Sequence, residues 1–160
     1  HQEQSVGKIV ITDNQVSGKG TYNKSWYSEP CKDLTFSIIL GSSYNFHQQL
    51  IDDTCTAIVN VLQKQKINAH HKKPNDIYVM NKKIAGILLS NVHSRKEVIY
   101  QALSLGININ SDLNIRSFDS KAKADHTSFV KELGKEVNRE KILVDIIQSI
   151  DLAIQKQINL

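Results

Sequence analysis

The sequence predicts an α+β fold, a mixed and largely antiparallel β-sheet with helices packed on one face. Apolar runs with the two-residue alternation of strands fill most of the first two thirds of the chain, whereas apolar stripes with helical spacing occur once in the middle and again at the end. The order is β, β, α, several β, then α, α, and there is no internal repeat. The 160 residues are expected to form one domain, residues 1–160.

Two strands are predicted before the first helix. The segment "KIVITD" is rich in β-branched residues, and "DLTFSIIL" alternates so that one face carries Leu34, Phe36, Ile38 and Leu40. From Asn45 the apolar spacing becomes helical, which predicts a helix with Cys55 in the core. The apolar positions of this helix are Phe46, Leu50, Ala57, Ile58, Val61 and Leu62.

Four more strands are predicted in the second half of the chain. "INAHHK" is a strand that is interrupted at Pro74, and "KEVIYQALSL" is a strand that ends at Gly106. "DIYVMNKKIAGILLS" has two apolar runs around a turn, which predicts a hairpin in which Asn81 takes the positive φ of the turn.

Two helices close the predicted fold. A short one begins near Thr127 or Ser128 and ends at Gly134. A longer one has Asn138 as its N-cap, and a single apolar stripe follows this cap. The stripe consists of Ile142, Leu143, Ile146, Ile147, Ile150 and Ile154.

Composition and charge indicate an ordinary soluble globular protein. Hydrophobic residues make up 40% and charged residues 22% of the chain, and the formal net charge is +4. This mildly basic balance favours an anionic ligand without being that of a nucleic-acid-binding arm. Two cysteines do not make a disulfide framework, so a reducing, cytoplasmic location is expected. Neither a membrane span nor a secretory signal is visible.

The polar segment "QVSGKGTYNKSW", residues 15–26, is predicted to be a ligand-binding loop. Gly18 and Gly20 flank Lys19, so the backbone can approach a ligand closely and its N–H groups can bind an anion. The spacing is neither that of a Walker loop nor that of a dinucleotide-binding fingerprint. An ordinary glycine-rich turn between strands is the more frequent meaning of such a pattern.

The segment "KKPNDIY" is the second candidate for ligand binding. Pro74 biases the preceding residue toward an extended conformation, and Asn75 and Asp76 can hold a turn. Lys72 then lies at a strand end, where it can act as a point charge for a carboxylate or phosphate. A solvated lysine beside a structural turn explains the same pattern. Ala85-Gly86 in the next strand leaves room for a flat ligand.

Three blocks of the chain, in this order and spacing, resemble the biotin protein ligases. "SGKGTYNKSW" looks like the GRGRRGR-x-W loop of that family, "KKPNDIYVMNKKIAGIL" looks like its K-W-P-N-D-[IL]-Y-[VL]…K-[IL]-x-G-I-L block, and "LGININ" looks like its G-x-G-I-N strand end. The resemblance covers about residues 7–155 and implies a class II synthetase-like catalytic domain.

The resemblance also implies a two-step reaction. ATP and biotin form biotinyl-5′-AMP, with Mg²⁺ accompanying ATP, and a lysine of a biotin carboxyl carrier protein domain then takes the biotin. Lys72 matches the catalytic lysine of the family. The implied substrate- and nucleotide-binding residues are Gln15, Gly18, Lys19, Gly20, Thr21, Trp26, Asn75, Asp76, Gly86 and Asn108. The resemblance is compatible with a homodimer. It implies no resident metal, membrane anchor or DNA-binding domain in this chain.

Several positions depart from the family pattern. Two loop arginines are replaced by Thr21 and Tyr22, a loop glycine is Asn23, and the first glycine of G-x-G-I-N is Ser104. The Ser-Thr-Asn motif that begins the family's catalytic domain and the small C-terminal β-barrel are expected to be missing, as in a truncated chain.

Three other functions are compatible with parts of the sequence. A lipoate ligase shares the fold and the chemistry, although its R-R-x-S-G-G-G loop is not found. A homologue with an altered loop could instead act as a binding or dimerisation module. A metal site of His70, His71, His93 and His126 is disfavoured, because adjacent histidines in a strand point to opposite faces.

Overall fold

The computed structural model describes residues 6–21, 24–41, 47–95, 97–113 and 126–158. Within these ranges the chain forms eight strands and three helices, and apart from two short strands within residues 18–26 they follow the predicted order. The strands are β1 (Ile9–Thr12), β2 (Gly18–Lys19), β3 (Ser25–Trp26), β4 (Leu34–Gly41), β5 (Ala69–Lys72), β6 (Asp76–Val79), β7 (Lys82–Ser94) and β8 (Glu97–Ile107). The helices are α1 (His47–Lys64), α2 (Phe129–Leu133) and α3 (Arg139–Ile158).

Six strands form one sheet in the order β1-β4-β8-β7-β6-β5, and each neighbouring pair in it is antiparallel. The strands β2 and β3 pair with each other in a separate small ribbon. The predicted α+β class with a largely antiparallel sheet is therefore confirmed.

The apolar core lies on one face of the sheet, under the helices. The alternating residues of β4 are all buried there, as predicted, and they join apolar residues of β7, β8 and α1. Helix α1 packs against β5, β6, β7 and α3. Cys55 of α1 is fully buried, as expected. The opposite face of the sheet remains open for a ligand.

The helix ends follow the capping rules. The Lys141 N–H group donates to the Asn138 side chain at 2.8 Å, which confirms the predicted N-cap of α3. Gly134 ends α2 with a φ of 69°, a left-handed value that suits glycine. In the part of the chain described above, no helix has the length and apolarity needed to cross a bilayer.

Four local predictions need correction or lie outside the described residues. The strand β8 continues through Gly106 to Ile107. The left-handed residue of the β6–β7 turn is Met80, with a φ of 51°, and not Asn81. The segment of residues 15–26 contains the ribbon β2–β3 and is not loop throughout. The predicted start of α1 near Asn45 and Phe46 lies outside the described residues.

Candidate active site

A cavity of about 400 Å³ lies on the open face of the sheet. The strands β1, β4, β7 and β8 form its floor, and residues of the segment between β1 and β4 form its wall. This size is within the range of pockets for small molecules. The lining includes Val10, Thr12, Gln15, Lys19, Gly20, Thr21, Trp26, Thr35, Ser37, Asn75, Asp76, Lys83, Gly86, Leu88, Ser104 and Gly106.

Strand register explains why the centre of the cavity floor has no side chains and why part of the floor is polar. One row of neighbouring residues crosses the sheet, and its central members have no side chain. In order across the sheet it consists of Thr12, Thr35, Gly106, Gly86 and Asp76. The next row consists of Val10, Ser37, Ser104 and Leu88. The two central glycines leave a flat surface on which a ring can lie.

The indole of Trp26 lies on this glycine surface. A Cβ atom on Gly106 would lie 2.4 Å from Cε2 and Nε1 of Trp26, and one on Gly86 would lie 3.4 Å from its Cζ3. Glycine at 106 is therefore required by the close approach of the ring. The buried Nε1 of Trp26 and Oε1 of Gln15 have no hydrogen-bond partner among the described residues. Both line the cavity, where a ligand could satisfy them.

Lys83 supplies a cation inside the cavity. Its Nζ atom lies 2.6 Å from Oδ1 of Asp76 and 5.3 Å from the centre of the Trp26 ring. Only 20% of the Lys83 side chain is exposed, so its charge acts in a partly desolvated site. A cation held by one carboxylate can still contact an anionic ligand, because an ammonium group has three donors.

His126 adds an aromatic edge beside Trp26. The two ring centres are 6.5 Å apart and the rings meet edge to face. The position of His126 is set by the backbone, since it forms a parallel bridge with Lys83 and the next N–H group, of Thr127, donates to the Lys83 carbonyl at 2.9 Å. His126 does not line the cavity itself, and from the sequence it was considered only as a disfavoured metal ligand.

Most of the predicted binding residues meet at this cavity. Those that line it are Gln15, Lys19, Gly20, Thr21, Trp26, Asn75, Asp76 and Gly86. Asn75 is buried and donates from Nδ2 to the Ile87 carbonyl at 2.6 Å, which fastens the turn to β7. Gly18 does not line the cavity but lies just behind it. A Cβ atom there would lie 2.3 Å from Oε1 of Gln15 and from the Trp26 carbonyl oxygen.

Lys72 is not brought into the cavity, contrary to the sequence-based expectation. It is exposed at the end of β5, and its Nζ atom lies 4.1 Å above the centre of the Tyr78 ring. Because β6 separates β5 from β7, Lys72 is two strands away from Gly86. Lys83, by contrast, lines the cavity.

A β-bulge explains why strand alternation did not point to Lys83. Lys83 and Gly86 are an odd number of residues apart, so regular alternation places them on opposite faces. The register between β6 and β7 shifts between Ile77 and Tyr78, and the extra residue on β7 turns Lys83 toward the side of Gly86. The available signal was the lysine of the "KIAGIL" stretch in the second block.

Asn108 also lies away from the cavity. Its side chain is buried and donates from Nδ2 to the Thr127 carbonyl at 2.9 Å, while its N–H group donates to the Ile84 carbonyl. Asn108 thus joins the end of β8 to the segment before α2. Among the described residues, no three His, Cys, Asp or Glu side chains are grouped in a way that could hold a metal ion.

Comparisons with known proteins agree on one family. The model of the biotin/lipoate A/B protein ligase family matches residues 1–110. The chain is 28% identical over 154 residues to the bifunctional ligase/repressor BirA of Bacillus subtilis, covering 94% of this chain and 46% of that protein. It is 29% identical over 142 residues to the human biotin–protein ligase, covering 81% of this chain and 19% of that protein.

Solved structures show the same relationship. A biotin protein ligase from Aquifex aeolicus, solved in complex with biotin and ATP, superposes with a TM-score of 0.80 at 26% identity, covering 97% of this chain and 66% of that one. A lipoic-acid-bound protein from T. acidophilum, described as a putative lipoate protein ligase, has a TM-score of 0.65 at 17% identity over 88% of this chain and 57% of that one. The latter likeness concerns the fold alone.

The chain spans about half the length of the Bacillus relative that it matches. The family model nevertheless covers more than half of this chain, and the resemblance inferred from the three sequence blocks is confirmed. The chain belongs to the biotin/lipoate A/B protein ligase family.

Proposed function

We propose that this chain carries the catalytic site of a biotin protein ligase. In the first step a carboxylate oxygen of biotin attacks the α-phosphorus of ATP. A bond forms between the carboxylate oxygen and the α-phosphorus. The bond between the α-phosphorus and the oxygen that bridges it to the β-phosphate breaks, and pyrophosphate leaves. In the second step the uncharged ε-amine of a lysine on a carrier protein domain attacks the acyl carbon, and AMP leaves as the amide forms.

The observation that carries this proposal is Lys83 beside a glycine floor. Adenylation brings a carboxylate and a phosphate together, and both are negative, so the reaction needs a positioned cation in the binding site. Lys83 lies at the edge of the Gly86–Gly106 surface inside the cavity. Two of the proteins described above, from human and from Aquifex aeolicus, are biotin protein ligases, and the latter was solved with biotin and ATP.

Other cavity residues have roles that follow from their chemistry. Gln15 carries an unpartnered buried carbonyl oxygen that can accept from an N–H group of the biotin ring system. Trp26 offers aromatic surface for the adenine base, and His126 supports the Trp26 ring from outside the cavity lining. Lys19, in the wall of the cavity, can neutralise phosphate charge. Two further loop cations of the family pattern are absent here, so Lys19 and Lys83 carry more of this task.

Mg²⁺ enters the proposal together with ATP. Asp76 is the one carboxylate among the described residues that line the cavity, and it is paired with Lys83. The site therefore fits an ion that is held mainly by phosphate oxygens and water, as Mg²⁺ commonly is. When bound, the ion would neutralise charge on the leaving pyrophosphate.

The test is incubation of the purified chain with biotin and Mg-ATP, with and without a biotin carboxyl carrier domain. We expect pyrophosphate release and a biotinyl-5′-AMP mass without the carrier, and a biotinylated carrier when it is present. Binding of biotin and ATP without pyrophosphate release would instead identify a non-catalytic binding module. Release with lipoic acid but not with biotin would favour a lipoate ligase.

A further inference from the structure

The second row of the cavity floor contains a hydroxyl pair. Ser37 of β4 and Ser104 of β8 are direct neighbours in the sheet, and their Oγ atoms are 2.8 Å apart. Both side chains are partly buried and line the cavity. Serine at 104 stands where the resembling family motif has glycine, so half of this pair is a departure of this chain from that pattern.

The neighbours of the pair in this row are aliphatic. Val10 lies beside Ser37 and Leu88 beside Ser104, and both line the cavity as well. The two hydroxyls therefore form the polar part of an otherwise apolar row. A ligand lying across the row contacts the hydroxyls and the aliphatic groups at once.

Hydrogen-bond capacity decides which ligand suits this row. Two hydroxyl groups contain two hydrogens, and the bond between them uses one. The second hydrogen and the remaining lone pairs need water or a polar ligand atom. An aliphatic chain that covered them would displace water and leave them unsatisfied, which costs binding.

We propose that the Ser37–Ser104 hydroxyl pair is a specificity determinant of the cavity. It selects a carboxylic acid whose body carries a hydrogen-bonding atom, and it disfavours one whose body is a plain alkyl chain. This inference rests on the proposed function, because it concerns the acid that is activated there. Leaving a buried polar group unpaired typically reduces affinity by roughly tenfold to a hundredfold.

The test compares the dissociation constants of biotin and octanoic acid by calorimetry and by competition. In the double variant Ser37→Ala and Ser104→Ala, biotin should bind more weakly and octanoic acid more tightly, so that the preference for biotin falls by roughly tenfold to a hundredfold. Ser149→Ala is the matched control, since that partly buried hydroxyl donates to the Ala57 carbonyl between α1 and α3. This control should keep the wild-type preference.

Two results would overturn the inference in distinguishable ways. An unchanged preference in the double variant, with wild-type biotin binding intact, overturns the specificity role alone. Failure of the wild-type chain to bind biotin overturns the proposed function and the inference together. Thermal unfolding is measured for every variant. If the double variant does not fold, the affinities for biotin and octanoic acid are compared in the single variants Ser37→Ala and Ser104→Ala.

Discussion

Lys83 and Lys72 have the same side chain in different environments. Lys83 is largely shielded, lies against Asp76 and faces the cavity, whereas Lys72 is exposed and stacks on Tyr78. A charge that is fixed and partly desolvated stabilises developing charge much better than a solvated one, because little reorganisation is needed during the reaction. Under the proposed function, we therefore expect Lys83 rather than Lys72 to stabilise the developing charge.

Lys83→Ala should lower the rate of pyrophosphate release by roughly 10²–10³, the usual effect of losing one preorganised electrostatic donor. Lys83→Arg should restore little, since a planar guanidinium does not replace a point charge. Lys72→Ala is the control and should remain near the wild-type rate. If Lys72→Ala proved the slower enzyme, the assignment of Lys83 would be wrong.

The buried thiol of Cys55 leads to a second prediction at the level of one residue, which concerns the pH dependence of stability. Burial raises the pKa of its thiol from 9.0 to about 12. Between these values the folded state keeps the thiol proton and the unfolded state loses it, so the free energy of unfolding falls as pH rises, by up to about 1.4 kcal/mol per pH unit from this group.

The measurement is urea unfolding of wild type, Cys55→Ala and Cys31→Ala across the alkaline range. Other groups titrate there too, so the informative quantity is the difference in slope between variants. Cys55→Ala should lose stability less steeply with pH than wild type does. The exposed Cys31 serves as the control, and its replacement should leave the slope unchanged. Parallel curves for all three proteins would contradict the prediction.

At the level of elements, β7 and β8 are built around their two central glycines. They are neighbours in the register, Gly86 beside Gly106, and together they carry the Trp26 indole. The contact is much closer at Gly106, where an added Cβ would meet the rigid ring, than at Gly86, where it would first meet the flexible end of Lys83 at 3.1 Å. The two glycines should therefore differ in their tolerance of alanine.

Gly106→Ala should displace the indole and move the fluorescence emission of Trp26 to longer wavelength, with weaker biotin and ATP binding. Trp26 is the one tryptophan of the chain, so the emission reports on this ring directly. Gly86→Ala should keep the wild-type emission, because the Lys83 ammonium group can move aside. Equal shifts in both variants would show that the ring does not rest on Gly106 as described.

Elements with a regular period were predictable from sequence, and local irregularities were not. The alternation of β4 and the stripe of α3 each follow from burial of one face, which leaves a strong apolar pattern. The β7 bulge that turns Lys83 toward the cavity leaves no such pattern. One extra residue changes the face to which the side chain points without changing the composition of the strand. Strand β8 passes Gly106 because Ile107 still pairs with both β4 and β7, and the glycine itself is required by Trp26 from elsewhere in the chain.

At the level of the whole molecule, α3 is connected to the segment that forms the cavity wall. Arg139, the first residue of α3, donates to the Asp33 carbonyl at 3.0 Å and to the Asp13 carboxylate at 2.9 Å. Asp13 and Asp33 flank the segment that contains the wall, and the Cys31 N–H group donates to the Asp13 carbonyl at 2.8 Å. A single guanidinium thus holds both ends of the wall segment against the helix layer.

The Asp33 carboxylate strengthens this connection. It accepts hydrogen bonds from the N–H groups of Ile109 at 2.8 Å and Glu29 at 2.9 Å. Burial raises the pKa of Asp33, and these backbone hydrogen bonds oppose the rise. The base of the wall segment is therefore fixed to the residues that follow β8 as well as to α3.

Arg139→Ala should loosen the wall segment while the sheet stays intact. The loss in the free energy of unfolding should be about 1–2 kcal/mol, because the Asp13 partner is exposed and contributes little. With both ends released, the wall is less often in its binding position, and the apparent affinity for ATP falls in proportion to that population. We expect faster amide exchange in residues 14–21 and a higher KM for ATP at nearly unchanged kcat.

Arg139→Lys should restore at most one of the two contacts, since an ammonium group does not span both as the planar fork does. The matched control is Lys32→Ala, which removes an exposed ion pair with Glu136 near the same base. Exchange in residues 14–21 that is equally fast in the Arg139 and Lys32 variants would mean that the guanidinium does not hold the wall.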